Sequence, residues 1–383
     1  MSSTCFLVLA DGHVYSGSPF GAVAPTPDEL SAASGVSPKA VGEVVFNTAM
    51  SGYHEVLTDP SYTGQLVAMT YPHIGNYGCD PVWGETGPEP LSRSVVKPAG
   101  FIVRSLYTGP VPDGRTTLDD FLRASNTPGI TGVDTRALTL RLRDGGSCNG
   151  AIVRATGDRL AEEDVAAVVA ALGRFPAMEG RSLVGEVGSQ DVVTVNEGGS
   201  PHLGLLDCGL KANIVRELSR RGCRVTLLPS DADDALVATL GVDALFVSNG
   251  PGDPAVLDRQ VELVRQSLGK RPVLGICLGH QLIAEAMGAK TYKMKFGHHG
   301  VNHPVRDEFT RAVFVTSQNH GFAVDEATLP ASARVWFRNA NDDTVEGIRD
   351  DAARVRTAQF HPESAPGPYD SRWIFDSFLE VVK

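Results

Sequence analysis

Pro272-Val-Leu-Gly-Ile-Cys-Leu-Gly-His-Gln281 is the stretch on which the reading of this sequence turns. Residues 272–276 form an apolar run of strand length, and residues 280–287 carry a helical pattern. Between them lies Gly275-Ile-Cys-Leu-Gly279, a glycine-flanked nucleophile on a strand-to-helix turn, with cysteine where lipases place serine. A residue on so sharp a turn takes up strained backbone angles, and flanking glycines relieve the crowding. A helix N-terminus favours a thiolate beside it, and its amides can hold an oxyanion. The plainer reading is a small buried cysteine ending a core strand. That reading suits Cys5, Cys79, Cys148, Cys208 and Cys223, which have no such setting.

Working outward, residues 203–206, 224–228 and 243–248 are further apolar runs. They alternate with helical patterns at 211–221 and 256–268. Strands without polar alternation are buried on both faces, so residues 202–383 are expected to form an α/β domain with a doubly wound, mostly parallel sheet. In such sheets ligands bind beyond the C-terminal strand ends. A thiolate needs an acid–base partner, commonly histidine, oriented by a third group. His361, in Gln359-Phe-His-Pro-Glu363, follows the strand-like residues 354–360 and so falls at the same kind of position. Glu363 is close enough in sequence to reach the imidazole and fix its tautomer. His298, His299, His303 and His320 match no strong metal spacing, with no cysteine or acidic ligand near in sequence. No metal is expected there, and these histidines are read as structural or lining residues.

Upstream, residues 6–9, 43–46 and 66–69 read as strands. Residues 134–143 read as a helix with Asp134 as N-cap and Gly145 as stop. Residues 157–172 are Ala/Val-rich and helical, and Pro and Gly crowd residues 72–114, which suggests surface loops. A separate N-terminal mixed α/β domain is therefore expected over residues 1–198. Its compact part covers about 3–155, with a turn-rich linker at 180–201. The chain of 383 residues is 42% hydrophobic and 21% charged, a globular balance. Its net charge of −11 speaks against a nucleic-acid partner. No apolar run approaches the ~20 residues of a membrane helix, and the N-terminus lacks a signal-peptide pattern. Six scattered cysteines without a CxxC pair fit a reduced, cytoplasmic setting. No phosphate-binding glycine loop is present, so ATP chemistry has no home in this chain.

Gly275-Ile-Cys-Leu-Gly-His-Gln281 and His361-Pro-Glu363 together resemble the class I (triad-type) glutamine amidotransferases, whose catalytic domain is flavodoxin-like. The resemblance narrows at Ser248-Asn-Gly-Pro-Gly-Asp-Pro254, at Lys295-Phe-Gly-His-His-Gly-Val-Asn-His-Pro304 and at residues 318–330. These look like the small, glutamine-hydrolysing subunit of carbamoyl phosphate synthetases. Gly42-Glu-Val-Val-Phe-Asn-Thr48, residues 57–62 and Thr70-Tyr-Pro-His-Ile-Gly-Asn76 resemble that subunit's own N-terminal domain.

The resemblance implies Cys277 as nucleophile, His361 as general base and acid, and Glu363 as its orienter. It places L-glutamine on Ser61, Gly250, Gly252, Leu278, Gln281, Asn319, Gly321 and Phe322. It also implies a separate large subunit that holds ATP and magnesium, receives ammonia and makes carbamoyl phosphate for arginine and pyrimidine synthesis. The assembly would be a heterodimer or a higher oligomer, with the N-terminal domain as docking surface. The competing readings are an amidotransferase subunit of another synthase, such as one for anthranilate, a stand-alone γ-glutamyl hydrolase, or a non-catalytic scaffold.

Overall fold

Val273–Ile276 is buried along its whole length because hydrophobic layers cover both faces of the sheet it lies in. Its residues alternate between them: Leu274 and Ile276 join one cluster, Val273 the other. The same division runs through Leu205 and Leu206, Leu227 and Leu228, and Phe246 and Val247. Each such side chain contributes about 1.5–3 kcal/mol on burial. Helices Ala212–Arg220 and Ile374–Glu380 supply one layer, and Asp258–Ser267 and Leu278–Ala286 the other. This is the doubly wound arrangement.

The structure is a computed structural model that describes residues 3–32, 39–87 and 95–382. The chain divides into two units. The first runs up to Gly84, resumes after a segment that begins at Glu85, and ends at Glu179; the second comprises that segment and everything from Gly180.

The second unit carries a ten-stranded sheet. Its order is Val193–Val195, Arg224–Leu228, His202–Leu206, Ala244–Val247, Val273–Ile276, Val355–Ala358, Val345–Asp350, Val313–Asp325, Lys290–Asp307, Arg334–Asn339. Arg224–Leu228 through Val355–Ala358 are parallel. The sheet as a whole is not mostly parallel, as expected from sequence, because residues 290–350 add an antiparallel half. Nor are residues 180–201 a linker. Val184–Val187 is a helical turn, and Val193–Val195 pairs antiparallel with Arg224–Leu228 at the sheet edge. Gly and Pro here mark corners between short elements, so the boundary falls at 179/180 and not near 198–202.

In the first unit, seven strands close into a barrel: Ser3–Leu9, Val14–Gly21, Pro128–Thr131, Gly100–Val103, Gln65–Met69, Val41–Asn47 and Cys148–Thr156. The three pairings that join Val41–Asn47, Gln65–Met69, Gly100–Val103 and Pro128–Thr131 are parallel. Closure removes free strand edges. Helices Pro27–Ala32 and Glu162–Leu172 pack through Leu30, Val168 and Leu172 on Phe6, Val8 and Val153. The compact part therefore extends past residue 155. Asp134 caps the helix Thr135–Gly145 as expected, accepting the Ala137 N–H, although Gly145 is its last turn and Gly146 the stop. Among the described residues no helix is long and apolar enough to cross a membrane.

Candidate active site

Cys277 ends the strand Val273–Ile276 and caps the helix Leu278–Ala286, so that helix starts two residues earlier than its apolar pattern suggests. Its φ of 54° and ψ of −107° are strained for a non-glycine residue, at a cost of about 1–3 kcal/mol. The turn leaves no room beside it: a Cβ on Gly279 would run into the Val247 carbonyl.

Parallel pairing sets the neighbour. Ile276 lies opposite Ala358, so both chains emerge at one sheet edge. The Cys277 N–H donates to the Ala358 carbonyl at 2.8 Å, and the His361 N–H to the Ser317 carbonyl at 2.9 Å. The Cys277 thiol reaches the Asn319 carbonyl at 3.5 Å. Strand Val313–Asp325 thus braces Cys277 and His361 together.

His361 and Glu363 are buried, and Nδ1 of the imidazole donates to Glu363 Oε1 at 2.6 Å. Burial disfavours the imidazolium, but the Glu363 carboxylate and the Cys277 sulfur outweigh it and hold His361 up at about 10. Burial likewise opposes the Glu363 carboxylate, yet Lys211 and then His361 pull it down to about 2.

Sequence reading missed Lys211. Its Nζ sits 2.9 Å from Glu363 Oε1, both side chains almost fully buried. It also donates to the Ser364 carbonyl, and the Asn213 amide donates to the Glu363 carbonyl. The signal was available: Lys211 lies just beyond the C-terminal end of His202–Leu206, where the topology directs the search.

Most residues assigned to glutamine by resemblance gather around this edge. Gln281 is buried, and its Nε2 donates to the Phe322 carbonyl at 2.9 Å and to Gln359 Oε1 at 3.0 Å. Asn319 Oδ1 accepts from His299 Nδ1 at 2.9 Å. Lys293 Nζ lies 5.0 Å from the centre of the Phe322 ring, and a Cβ on Gly321 would approach the same ammonium at 2.8 Å. A Cβ on Gly250 would lie 2.9 Å from Leu278 Cδ2, which places that loop over the start of the helix Leu278–Ala286. Gly252 has φ +102° and bridges to Ser182. Ser61 belongs to the first unit, in the turn Pro60–Tyr62, where its N–H donates to Asp59 Oδ1 at 2.9 Å.

The histidine cluster corrects one expectation. Acidic groups do lie nearby, brought in by the antiparallel half of the sheet. His298 contacts Asp342 at 2.8 Å and Glu346 at 3.3 Å, and His320 Nε2 lies 3.9 Å from Glu346. Potential ligand atoms of His298, His320 and Glu346 fall within 4.8 Å of one another. They are engaged with other partners: Glu346 accepts from Gln318 at 2.9 Å and Asn339 at 3.1 Å. His320 sits between Gln318 Oε1 and the Phe322 carbonyl. Burial works against the His298 imidazolium, but its two carboxylates raise it to about 9.

Comparison with known proteins adds the family. A model described as glutamine amidotransferase class-I matches residues 204–381. A second, described as carbamoyl-phosphate synthase small chain, CPSase domain, matches residues 7–152. The carbamoyl phosphate synthase small chain of Pseudomonas syringae pv. tomato is 42% identical over 400 residues, covering 100% of this chain and 99% of the relative. The chain belongs to the carbamoyl phosphate synthase small chain family. The Methanococcus maripaludis (strain C7) small chain is 41% identical, covering 98% of this chain and 96% of that one. Among solved structures, a glutamine amidotransferase from Thermotoga maritima aligns with 47% of this chain and 83% of its own, at 20% identity and a TM-score of 0.34. The two matched domains follow one another along this chain, the small-chain domain first and the amidotransferase domain second.

Proposed function

We propose that this chain hydrolyses L-glutamine and delivers the ammonia to a separate, ATP-using carbamoyl phosphate synthase subunit. One observation carries the reading: a strained cysteine at a helix N-terminus shares a sheet edge with a buried histidine that a carboxylate holds. The Cys277 thiolate attacks the side-chain amide carbon of glutamine. The N–H groups of Leu278 and Gly252 receive the developing oxyanion; Leu278 contributes a first-turn amide with no partner inside its helix. His361 gives its proton to the departing amine, so ammonia leaves and a γ-glutamyl thioester remains. The neutral His361 then takes a proton from water, hydroxide attacks the thioester, and glutamate departs with the thiolate restored.

Gly250, Gln281, Asn319, Gly321 and Phe322 are the proposed glutamine contacts in the second unit. No cofactor is assigned to this chain; ATP and magnesium belong to the large subunit, and the pair works in the cytoplasm. Similarity along essentially the whole length favours this reading over another synthase's amidotransferase subunit or a γ-glutamyl hydrolase. The intact triad disfavours a scaffold.

Cys277→Ser provides the test, in the chain assembled with its large subunit. Glutamine-dependent carbamoyl phosphate formation falls at least a thousandfold, while formation from added ammonium stays within twofold of the parent. Equal loss of both activities overturns the division of labour.

A further inference from the structure

Glu85 stands outside the triad and outside every glutamine contact, yet it lies against the helix that anchors Glu363. Its carboxylate is 1% exposed. It accepts the Asn213 N–H at 3.0 Å and pairs with Arg216 at 2.9 Å. Its backbone carbonyl accepts the Ala212 N–H at 2.9 Å, and Thr86 bridges to Lys211. Glu85 and Thr86 therefore lie across the first turn of Ala212–Arg220, immediately after the lysine that pairs with Glu363.

Helix capping alone does not explain a carboxylate here. Any serine, threonine or asparagine accepts an N–H at a helix start. A buried carboxylate costs several kcal/mol unless matched by charge. The groups that act on Glu85 are the cations Lys211 and Arg216 and the like charge of Glu363; burial pushes Glu85 up, to about 7, against the two cations. Two buried carboxylates thus share the field of one buried ammonium. On the far side, Glu363 and Cys277 act on His361.

We propose that Glu85 is a positioning residue for the triad: it divides Lys211 with Glu363 and so limits how far Lys211 neutralises the carboxylate that charges His361. This rests on the triad reading above. The chain of influence is Glu85, Lys211, Glu363, His361, and it requires Glu85 to be charged, not merely to accept a hydrogen bond.

Glu85→Gln tests it, since the amide keeps the size and the acceptor for the Asn213 N–H but removes the charge. Glutaminase kcat/KM is measured from pH 6 to 11 on the full chain assembled with its large subunit. With less negative charge nearby, the His361 imidazolium is less favoured, so the alkaline limb moves down by roughly half a pH unit. KM for glutamine at pH 7 stays within twofold, and Glu85→Asp restores the parent limb. Arg216→Gln removes a cation from the same array and moves the limb up, which provides an opposite-sign check should Glu85→Gln fold poorly. Superimposable profiles for Glu85→Gln and the parent, or limbs that move in the same direction in both variants, overturn the proposal. Cys277→Ala is run alongside: glutaminase activity surviving in it refutes the triad reading itself.

Discussion

Lys211→Met removes one partner from an ion pair that water hardly reaches, and its effect can be worked from the structure. Glu363 is held at about 2 against an ordinary 4.5. At about 1.4 kcal/mol per pH unit, that corresponds to about 3 kcal/mol of folded-state stabilisation, with Lys211 the leading attraction and His361 the next. Breaking a buried pair from one side costs ~3–5 kcal/mol in general, because the remaining charge is left uncompensated. That depression is the joint effect of Lys211 and His361 against burial, so the general figure is the guide for Lys211 alone: a loss of about 3 kcal/mol is expected at pH 7, or roughly 10 °C in Tm for a unit of this size.

The sign with pH follows from a depressed carboxylate. Its contribution is full above about 4.5 and disappears as pH falls toward 2. The gap between parent and variant should therefore be widest at neutral pH and narrow below pH 4.5. Urea unfolding followed by tryptophan fluorescence measures it, since Trp336 and Trp373 both lie in the second unit. Removing both partners, in Lys211→Met with Glu363→Leu, should recover most of the loss. A single-variant loss below about 1 kcal/mol, or a gap that does not change with pH, would refute the assignment of Lys211 as the counter-charge.

Further outcomes concern other parts of the site. Because His361 is raised to about 10, its imidazolium persists through neutral pH and is lost only as pH rises through that value. Glutaminase kcat/KM should keep an alkaline limb above pH 9, and a limb near 6.5 would contradict the charged state described. Gly252→Ala places a side chain at φ +102° with its Cβ 2.6 Å from the Arg181 carbonyl. A stability loss of about 1–3 kcal/mol and a weaker glutamine affinity are expected by calorimetry, whereas an unchanged KM would remove Gly252 from the site. His298→Gln leaves Glu346 buried without its cation and should cost about 3 kcal/mol at pH 7. The raised His298 stabilises fully below about 6.5, and this stabilisation fades as pH rises through about 9. The variant should therefore approach the parent above that point.

Much of the second unit was legible because its parallel strands are uninterrupted apolar runs separated by amphipathic helices. Arg224–Leu228 was read to the residue, and the cysteine elbow with His361 and Glu363 followed from their places after strands. The antiparallel half was not legible. Lys290–Asp307 mixes lysines, glycines and histidines, and its pairing with Val313–Asp325 shifts register twice, which no two-residue alternation reveals. Barrel closure depends on which strands meet, and Val14–Gly21, with Ser-Gly-Ser-Pro inside it, gives little sign of a strand. Lys211 and Glu85 escaped notice because charged residues read as surface until a partner distant in sequence is known. Asp342 and Glu346 escaped for the same reason: they reach His298 only across the folded sheet.

Strand Val313–Asp325 carries a consequence of its own. Within six residues it offers carbonyls to the His361 amide, the Cys277 thiol and the Gln281 side chain. It works as a jig does in a workshop. Two parts clamped to one rail shift together when the rail shifts, so their separation survives motion that would ruin either position measured alone. A disturbance of this strand that leaves it intact is common to Cys277, His361 and Gln281, and cancels in the distances between them. Damage that breaks the rail should instead displace all three at once.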